Sequence, residues 1–270
     1  MSNTSLNKSK AAKNDEYYTR LEDIEKELVY YSPYLKGKKV VCNCDSEASM
    51  FWTYLTTNYE SLGLKGLTAT HYDSNGTYKL EYLNGQTVKT VVSGDGSYNS
   101  PTSKAILKEA DIVITNPPFS LFRDFIDTIK DKDFIVIGCI NAVTYNNIFP
   151  MFKAGKIRLG HTTLRYYVIP DGTVKDLGST SWFTTLPVER QELVLTATYN
   201  PTDYPTYSNY PAAINVNKVK DIPSDYNGLM GVPVNFLTKH CSSQFRIVDR
   251  LNNPKLGEKT IYKRVIIERI

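Results

Sequence analysis

Long apolar runs are missing from this chain of 270 residues, and none approaches the ~18 residues a membrane span needs. The first thirteen residues, rich in Ser, Asn and Lys, contain no apolar stretch of the kind a secretory signal carries. Both absences point to the cytoplasm. Cysteine is scarce: four residues are too few for a disulfide scaffold. Cys42 and Cys44 are spaced C-x-C in an apolar run, where a strand would point both the same way. A metal site needs more ligands than these, and the three histidines, His71, His161 and His240, lie far apart in sequence. No metal is expected.

A large charge imbalance is also missing, since the net charge is only +4. Its distribution is uneven. Residues 1–13 carry three lysines and no acid, and residues 211–270 carry ten Lys or Arg against five Asp or Glu. The stretch between them carries nineteen against twenty-three. A slightly acidic body with basic ends suits a polyanionic partner, and equally suits solvated tails.

Hydrophobic residues at 41% and charged residues at 22% describe an ordinary globular chain long enough to bury a core. Residues 1–13 read as a flexible basic arm. Asn14-Asp15 can cap a helix running to Tyr31, with Tyr17, Leu21, Ile24, Leu28 and Tyr31 at helical spacing. Core strands are expected at 39–44, 67–71, 110–115 and 133–139, with helices at 48–59, 102–110, 120–130 and 146–152. Asn84-Gly85 marks a hairpin between 78–83 and 86–92. This alternation predicts an α/β domain with a largely parallel sheet. Beyond residue 155 the texture turns to short β-like runs at 164–169, 181–186, 193–198, 245–248 and 262–267. Residues 199–211 hold four tyrosines and three prolines and read as extended and irregular. Their tyrosines could contact nucleic acid or simply line a surface loop.

The segment that carries chemistry is Asp111-Ile-Val-Ile-Thr-Asn116-Pro117-Pro118-Phe119. It places an amide, two prolines and an aromatic ring at the carboxyl end of a buried strand, where ligands of open α/β sheets bind. The prolines cannot donate to a ladder and stop the strand at once. A carboxamide oxygen and a proline carbonyl can accept two hydrogens from one amino group, and the ring can stack on a flat base. Two acceptors draw a delocalised exocyclic amine towards tetrahedral geometry and stabilise the charge that develops as it attacks a methyl sulfonium. In-line positioning supplies the rest.

Asn116-Pro117-Pro118-Phe119 resembles motif IV of amino-methyltransferases acting on adenine in DNA. More of the chain is similar to one branch, the EcoRI-type adenine-specific DNA methyltransferases. The matching segments are Asn14-Asp15-Glu16-Tyr17-Tyr18-Thr19 with Ile24 to Leu28, Val41 to Asp45 with Ser49 and Phe51, Ser93-Gly94-Asp95-Gly96, Trp182-Phe183-Thr184, and Gly231-Val232-Pro233 with Phe236-Leu237. They span roughly residues 13–250 in order. The Gly-x-Gly turn usual in methyltransferases is replaced by Asn43-Cys44-Asp45-Ser46-Glu47, as in that branch.

The resemblance implies a Rossmann-like S-adenosylmethionine-dependent fold with a mostly parallel sheet and a β-rich C-terminal extension. It implies methyl transfer to the N6 amine of a flipped adenine in double-stranded DNA. Asn116 and Pro117 would hold the amine, Pro118 would set the loop and Phe119 would stack on the base. Tyr18, Thr19, Asp45, Ser46 and Ser49 would line the donor pocket, with Asp95 on the donor's adenine. Asp73 would hold the donor ribose or serve as a turn residue. Residues 14–155 would form the donor-binding core, and 156–270 the rest of the core with the DNA-recognition elements. The enzyme would be monomeric, with a restriction endonuclease as a genetic rather than physical partner. Competing readings are a non-catalytic nucleic-acid-binding module and a methyltransferase acting on RNA or protein glutamine.

Overall fold

The computed structural model describes residues 17–71, 77–94, 96–169 and 171–270. The expected arm, the Asn14-Asp15 cap, Asp73 and Asp95 lie outside the described residues. The chain divides into two units. The first comprises the residues up to Cys139 with Gly160–Leu186, and the second Ile140–Leu159 with Pro187–Ile270.

In the first unit the elements follow in chain order. β1 (Tyr18–Thr19) leads into α1 (Leu21–Leu28) and, after one 3-10 turn, α2 (Ser32–Leu35). β2 (Lys39–Cys42), α3 (Met50–Thr57) and β3 (Gly66–His71) come next, then the hairpin β4 (Tyr78–Leu83) and β5 (Gln86–Val91). α4 (Pro101–Glu109), β6 (Ile112–Thr115), α5 (Phe122–Ile129) and β7 (Asp133–Cys139) complete the first run. After α6 (Phe149–Lys153), which belongs to the second unit, β8 (Arg158–Val168) and β9 (Val174–Thr184) follow. The nine strands form one sheet in the order β1-β8-β9-β7-β6-β2-β3-β4-β5.

Composition explains the centre of that sheet. β6 is buried at every position, and β2 and β7 at all but their ends, because Val, Ile and Phe fill both faces. β3, β2, β6 and β7 pair in parallel. The flanks do not. β4 runs antiparallel to β3 and to β5, and β9 antiparallel to β7. The sheet is therefore mixed, and the expected parallel character is confined to four central strands. The physical reason is connection length: β4–β5 and β8–β9 are joined by short turns, which only antiparallel neighbours accept. Asn84 (φ 51°) and Gly85 (φ 80°) supply the two left-handed residues such a hairpin needs.

Among the described residues the first helix begins at Leu21, and Tyr17, expected on its apolar face, is not helical. Tyr18 and Thr19 are extended instead, because they pair with Val168 and Tyr167 of β8. Cross-strand pairing outweighs their helical spacing. Ser49 caps α3 by accepting from Phe51 N (3.1 Å), and Ser100 caps α4, with Pro101 at its first turn. β2 follows α2 and ends at Cys42, so Cys44 sits on the following turn and not on the strand.

The second unit is a five-stranded sheet in the order β10-β11-β12-β16-β13, from β10 (Thr206–Tyr207), β11 (Tyr210–Asn215), β12 (Leu229–Pro233), β13 (Phe245–Leu251) and β16 (Arg264–Arg269). β14 (Lys255–Leu256) and β15 (Lys259–Thr260) form a small hairpin. Two expectations change here. Residues 193–198 are not a strand, and Val194 is 91% exposed. The Gln244 side chain stands in for a partner strand, accepting from Leu193 N (2.8 Å) and donating to Leu193 O (2.8 Å). The Tyr/Pro stretch is partly ordered as β10 and the start of β11. Tyr207 is fully buried, its hydroxyl donating to Asn215 Oδ1 (2.9 Å) and Gly231 O (3.0 Å). That tyrosine is a core pillar, not a surface contact. Trp182 and Phe183 are likewise fully buried.

Candidate active site

β2 is followed by β3 on one side of the sheet, while its other neighbour, β6, comes later in the chain. The order reverses between β2 and β6, which is where open α/β sheets leave a crevice at the strand carboxyl ends. The turn after β2 starts with Asn43, and the loop after β6 with Asn116. A cavity of about 340 Å3 opens there, inside the first unit. Its lining is mainly apolar with a few convergent polar groups, as in small-molecule sites.

Asn116 is held from one side. Its Nδ2 donates to the backbone carbonyl of Tyr17 (2.6 Å). A carbonyl only accepts, so this bond fixes which end of the carboxamide is nitrogen. Asn116 Oδ1 is then buried with no hydrogen-bond partner. Such an atom costs about 1–3 kcal/mol unless a ligand satisfies it. The Pro118 carbonyl accepts from Leu121 N (3.0 Å), which starts the 3-10 turn at Phe119 and fixes the loop. The Phe119 ring stacks on Tyr17 (centroids 5.9 Å, 20° between planes) and meets Tyr167 edge-on at 6.1 Å. Tyr167 itself is anchored by donation to Thr180 Oγ1 (2.8 Å).

Asp45 joins the two halves of the site. Ser49 donates to its Oδ1 (2.5 Å), and Thr115, the last residue of β6, donates to its Oδ2. Burial pushes its pKa up to about 6, against the two hydroxyl hydrogen bonds that pull it down. The neighbouring Cys42 and Cys44 thiols are raised by burial, and further by the Asp45 charge. They are poor thiolates, and nothing here suits a cysteine nucleophile.

Among the described residues five further buried side-chain polar atoms have no partner: Ser181 Oγ and Trp182 Nε1, away from the cavity lining, and Thr19 Oγ1 and both polar side-chain atoms of Asn43. Thr19 and Asn43 both line the cavity. An apolar wall carrying orphaned donors and acceptors fits a ligand with a flat ring and several polar groups.

Of the residues singled out from the sequence, the structure gathers Tyr18, Thr19, Asp45, Ser46, Ser49, Asn116, Pro117, Pro118 and Phe119 around this one cavity. Asp73 and Asp95 are outside the described residues. Their neighbours in the described chain, His71 and Gly96, line the cavity, and a Cβ on Gly96 would sit 2.1 Å from the His71 carbonyl. Sequence reasoning missed Tyr17, Asn43 and Tyr98. Asn43 carried a signal, as an amide inside an apolar strand run. Tyr17 carried none, since it acts on Asn116 through its backbone.

A carboxamide oxygen presented without a partner, an aromatic ring in the same lining and a cavity at the switch point suit the transfer of a group to an amine. Comparison with known proteins gives the class its name. The family model for "adenine-specific methyltransferase EcoRI" matches residues 5–268. The type II methyltransferase M.EcoRI of Escherichia coli is 40% identical over 91% of this chain and 89% of its own length. M.MgeORF184P of Mycoplasma genitalium is 38% identical, covering 92% of this chain and 87% of its own. M.MpnI of Mycoplasma pneumoniae is 39% identical, covering 92% and 86%. No solved structure matches the chain. The chain belongs to the EcoRI-type adenine-specific methyltransferase family and is a DNA adenine methyltransferase.

Proposed function

We infer that the cavity binds S-adenosylmethionine and that the Asn116 loop holds the N6 amine of an adenine extruded from duplex DNA. One observation carries this reading: Asn116 Oδ1 is buried and unpaired while its Nδ2 is tied to Tyr17. The oxygen is preset to accept, and the adenine amine is the donor it lacks.

The surroundings fit the donor. Thr19 and Asn43 offer unsatisfied polar atoms for its polar groups, and Tyr18, Ser46 and Ser49 share the lining. Asp95 would meet its adenine and Asp73 its ribose. Bound there, S-adenosylmethionine supplies a methyl group on a sulfonium. The chain does the rest. Phe119, braced by Tyr17 and Tyr167, stacks on the target base. Asn116 Oδ1 and the Pro117 carbonyl accept the two amine hydrogens and stabilise the charge that grows on nitrogen. Extruding the base costs about a few kcal/mol, offset by that stacking and those hydrogen bonds.

The strand arrangement supports a Rossmann-like methyltransferase core. β3-β2-β6-β7 forms a parallel block, with β9 inserted antiparallel between β7 and β8. The second unit would carry DNA-recognition elements. The enzyme would act as a monomer in the cytoplasm, one strand at a time, with any endonuclease a genetic partner only.

The test uses tritiated donor and unmethylated genomic DNA, followed by long-read sequencing. Methyl on adenine N6 at one short motif is the expected result. Asn116→Ala should abolish transfer while calorimetry still shows donor binding. Full transfer by Asn116→Ala would overturn the assignment.

A further inference from the structure

Positive charge is not concentrated in the unit that holds the cavity. The second unit carries fourteen Lys and Arg against eight Asp and Glu, net +6, while the remaining residues carry eighteen against twenty. A cation beside the Asn116 loop that no carboxylate meets therefore stands out, and there is one. It reaches the loop through Tyr17, whose carbonyl holds Asn116 and whose ring stacks on Phe119. Lys175 on β9 places its Nζ 5.3 Å from the centroid of that ring and 3.5 Å from Tyr17 Oη.

Two other cations at this edge of the sheet are ion-paired. Arg20, next to β1, meets Glu22 and Asp23, and Arg165 on β8 meets Asp176. Asp176 follows Lys175 in the chain but is engaged by Arg165. Among the described residues Lys175 makes no ion pair. What holds it is weak. A cation over a ring at an exposed site contributes about 0.5–1 kcal/mol, and 3.5 Å is the limit of hydrogen-bond geometry. These contacts place the ammonium beside the Phe119 stack and leave its charge for an anion.

The reaction brings two anions near this place, the carboxylate of the donor and the phosphates of the DNA strand. The carboxylate goes with the donor into the cavity. Tyr17 lines that cavity, whereas Lys175 is exposed and does not. A nucleotide whose base lies on Phe119 keeps its phosphates outside, one sugar away from the base. We propose that Lys175 meets a phosphate flanking the extruded adenine and holds the opened strand while the base occupies the site. The proposal rests on the adenine-extrusion reading. A contact of this kind orients the strand without reading its sequence, and it offsets part of the cost of extrusion.

The experiment uses the full chain and fluorescent duplexes carrying its methylation motif, with binding read by anisotropy. In separate duplexes an uncharged methylphosphonate replaces one phosphate, either flanking the target adenine or several nucleotides away. For the wild type, one flanking replacement should weaken binding several-fold. Lys175→Ala should bind the native duplex several-fold more weakly and lose nothing further from that replacement. Lys175→Arg keeps a cation and should keep the sensitivity, as should Arg165→Ala, whose guanidinium is already paired. Donor affinity by calorimetry should be unchanged throughout. Native-duplex binding by Lys175→Ala equal to wild type overturns the proposal. So does a Lys175→Ala variant that still pays the full penalty for the flanking replacement, since its loss would then be structural. A weakened donor affinity in Lys175→Ala also overturns it, by giving the ammonium to the donor carboxylate. These outcomes leave the acceptor assignment standing. A wild-type chain that methylates no adenine in duplex DNA would overturn both.

Discussion

Single side chains in the cavity hold polar atoms that the folded chain leaves unsatisfied. Thr19 Oγ1 and the Asn43 carboxamide are buried without partners, which disfavours the folded state until a ligand supplies them. Thr19→Val keeps the shape and deletes the orphan hydroxyl. It should raise the stability of the ligand-free protein by about 1 kcal/mol and weaken donor binding, read by urea denaturation and calorimetry on the same sample. A loss of stability with unchanged donor affinity would show the hydroxyl to be structural. Asp45 gives a pH effect of unusual sign. Its folded pKa, about 6, lies above the unfolded value of about 3.8. The folded state binds the proton more tightly, so the contribution is complete below the unfolded value and is lost as pH rises through the folded one. The span corresponds to roughly 3 kcal/mol. Asp45→Asn should flatten the pH dependence of unfolding between about pH 4 and 6. A retained slope would place the proton elsewhere.

Elements are fixed by a few contacts that span them. Glu27 on α1 is fully buried, and its carboxyl group accepts from Tyr31 Oη (2.8 Å), His161 N (2.8 Å), Thr162 N (2.6 Å) and Thr162 Oγ1 (2.6 Å). It ties the helix to β8. Gly160 leaves the room: a Cβ there would meet Glu27 Oε1 at 2.1 Å and Trp182 Cβ at 2.5 Å. Neither neighbour is the loose end of a flexible chain. Gly160→Ala should therefore cost about 3 kcal/mol, seen as a lower urea midpoint. A shift under 1 kcal/mol would mean α1 can slide. At this scale much was legible beforehand. β2, β6 and β7 announced themselves as apolar runs because both faces of a central parallel strand are buried. Asn84-Gly85 and Asn116-Pro117-Pro118-Phe119 were readable because their function demands those residue types. β1 was not, since two residues carry no periodicity and their partner in β8 lies about 150 positions away. Residues 193–198 misled because alternating side chains look the same whether a strand or a glutamine amide satisfies the backbone. The Tyr17 carbonyl was invisible, being common to every residue type.

For the whole molecule, the candidate site and the excess positive charge are divided. The Asn116 cavity lies in the first unit, and the net +6 in the second. That division was only half visible in the chain: the C-terminal excess of Lys and Arg showed, while Lys153, Lys156 and Arg158, counted with the acidic middle stretch, fall in the second unit. Asp45, meanwhile, takes one hydroxyl from the turn that would receive the donor and one from the end of the strand that presents Asn116. A single carboxyl group thus senses both sites. Whatever filling the cavity does to that group would reach the loop proposed to receive the base, and thermodynamic linkage requires the reverse influence to be equal. Donor and DNA should then bind with a common coupling factor, measurable as the ratio of donor Kd with and without duplex. Thr115→Val, which cuts one arm of the bridge, should bring that ratio towards one; a ratio left unchanged would mean the two ligands communicate by another route.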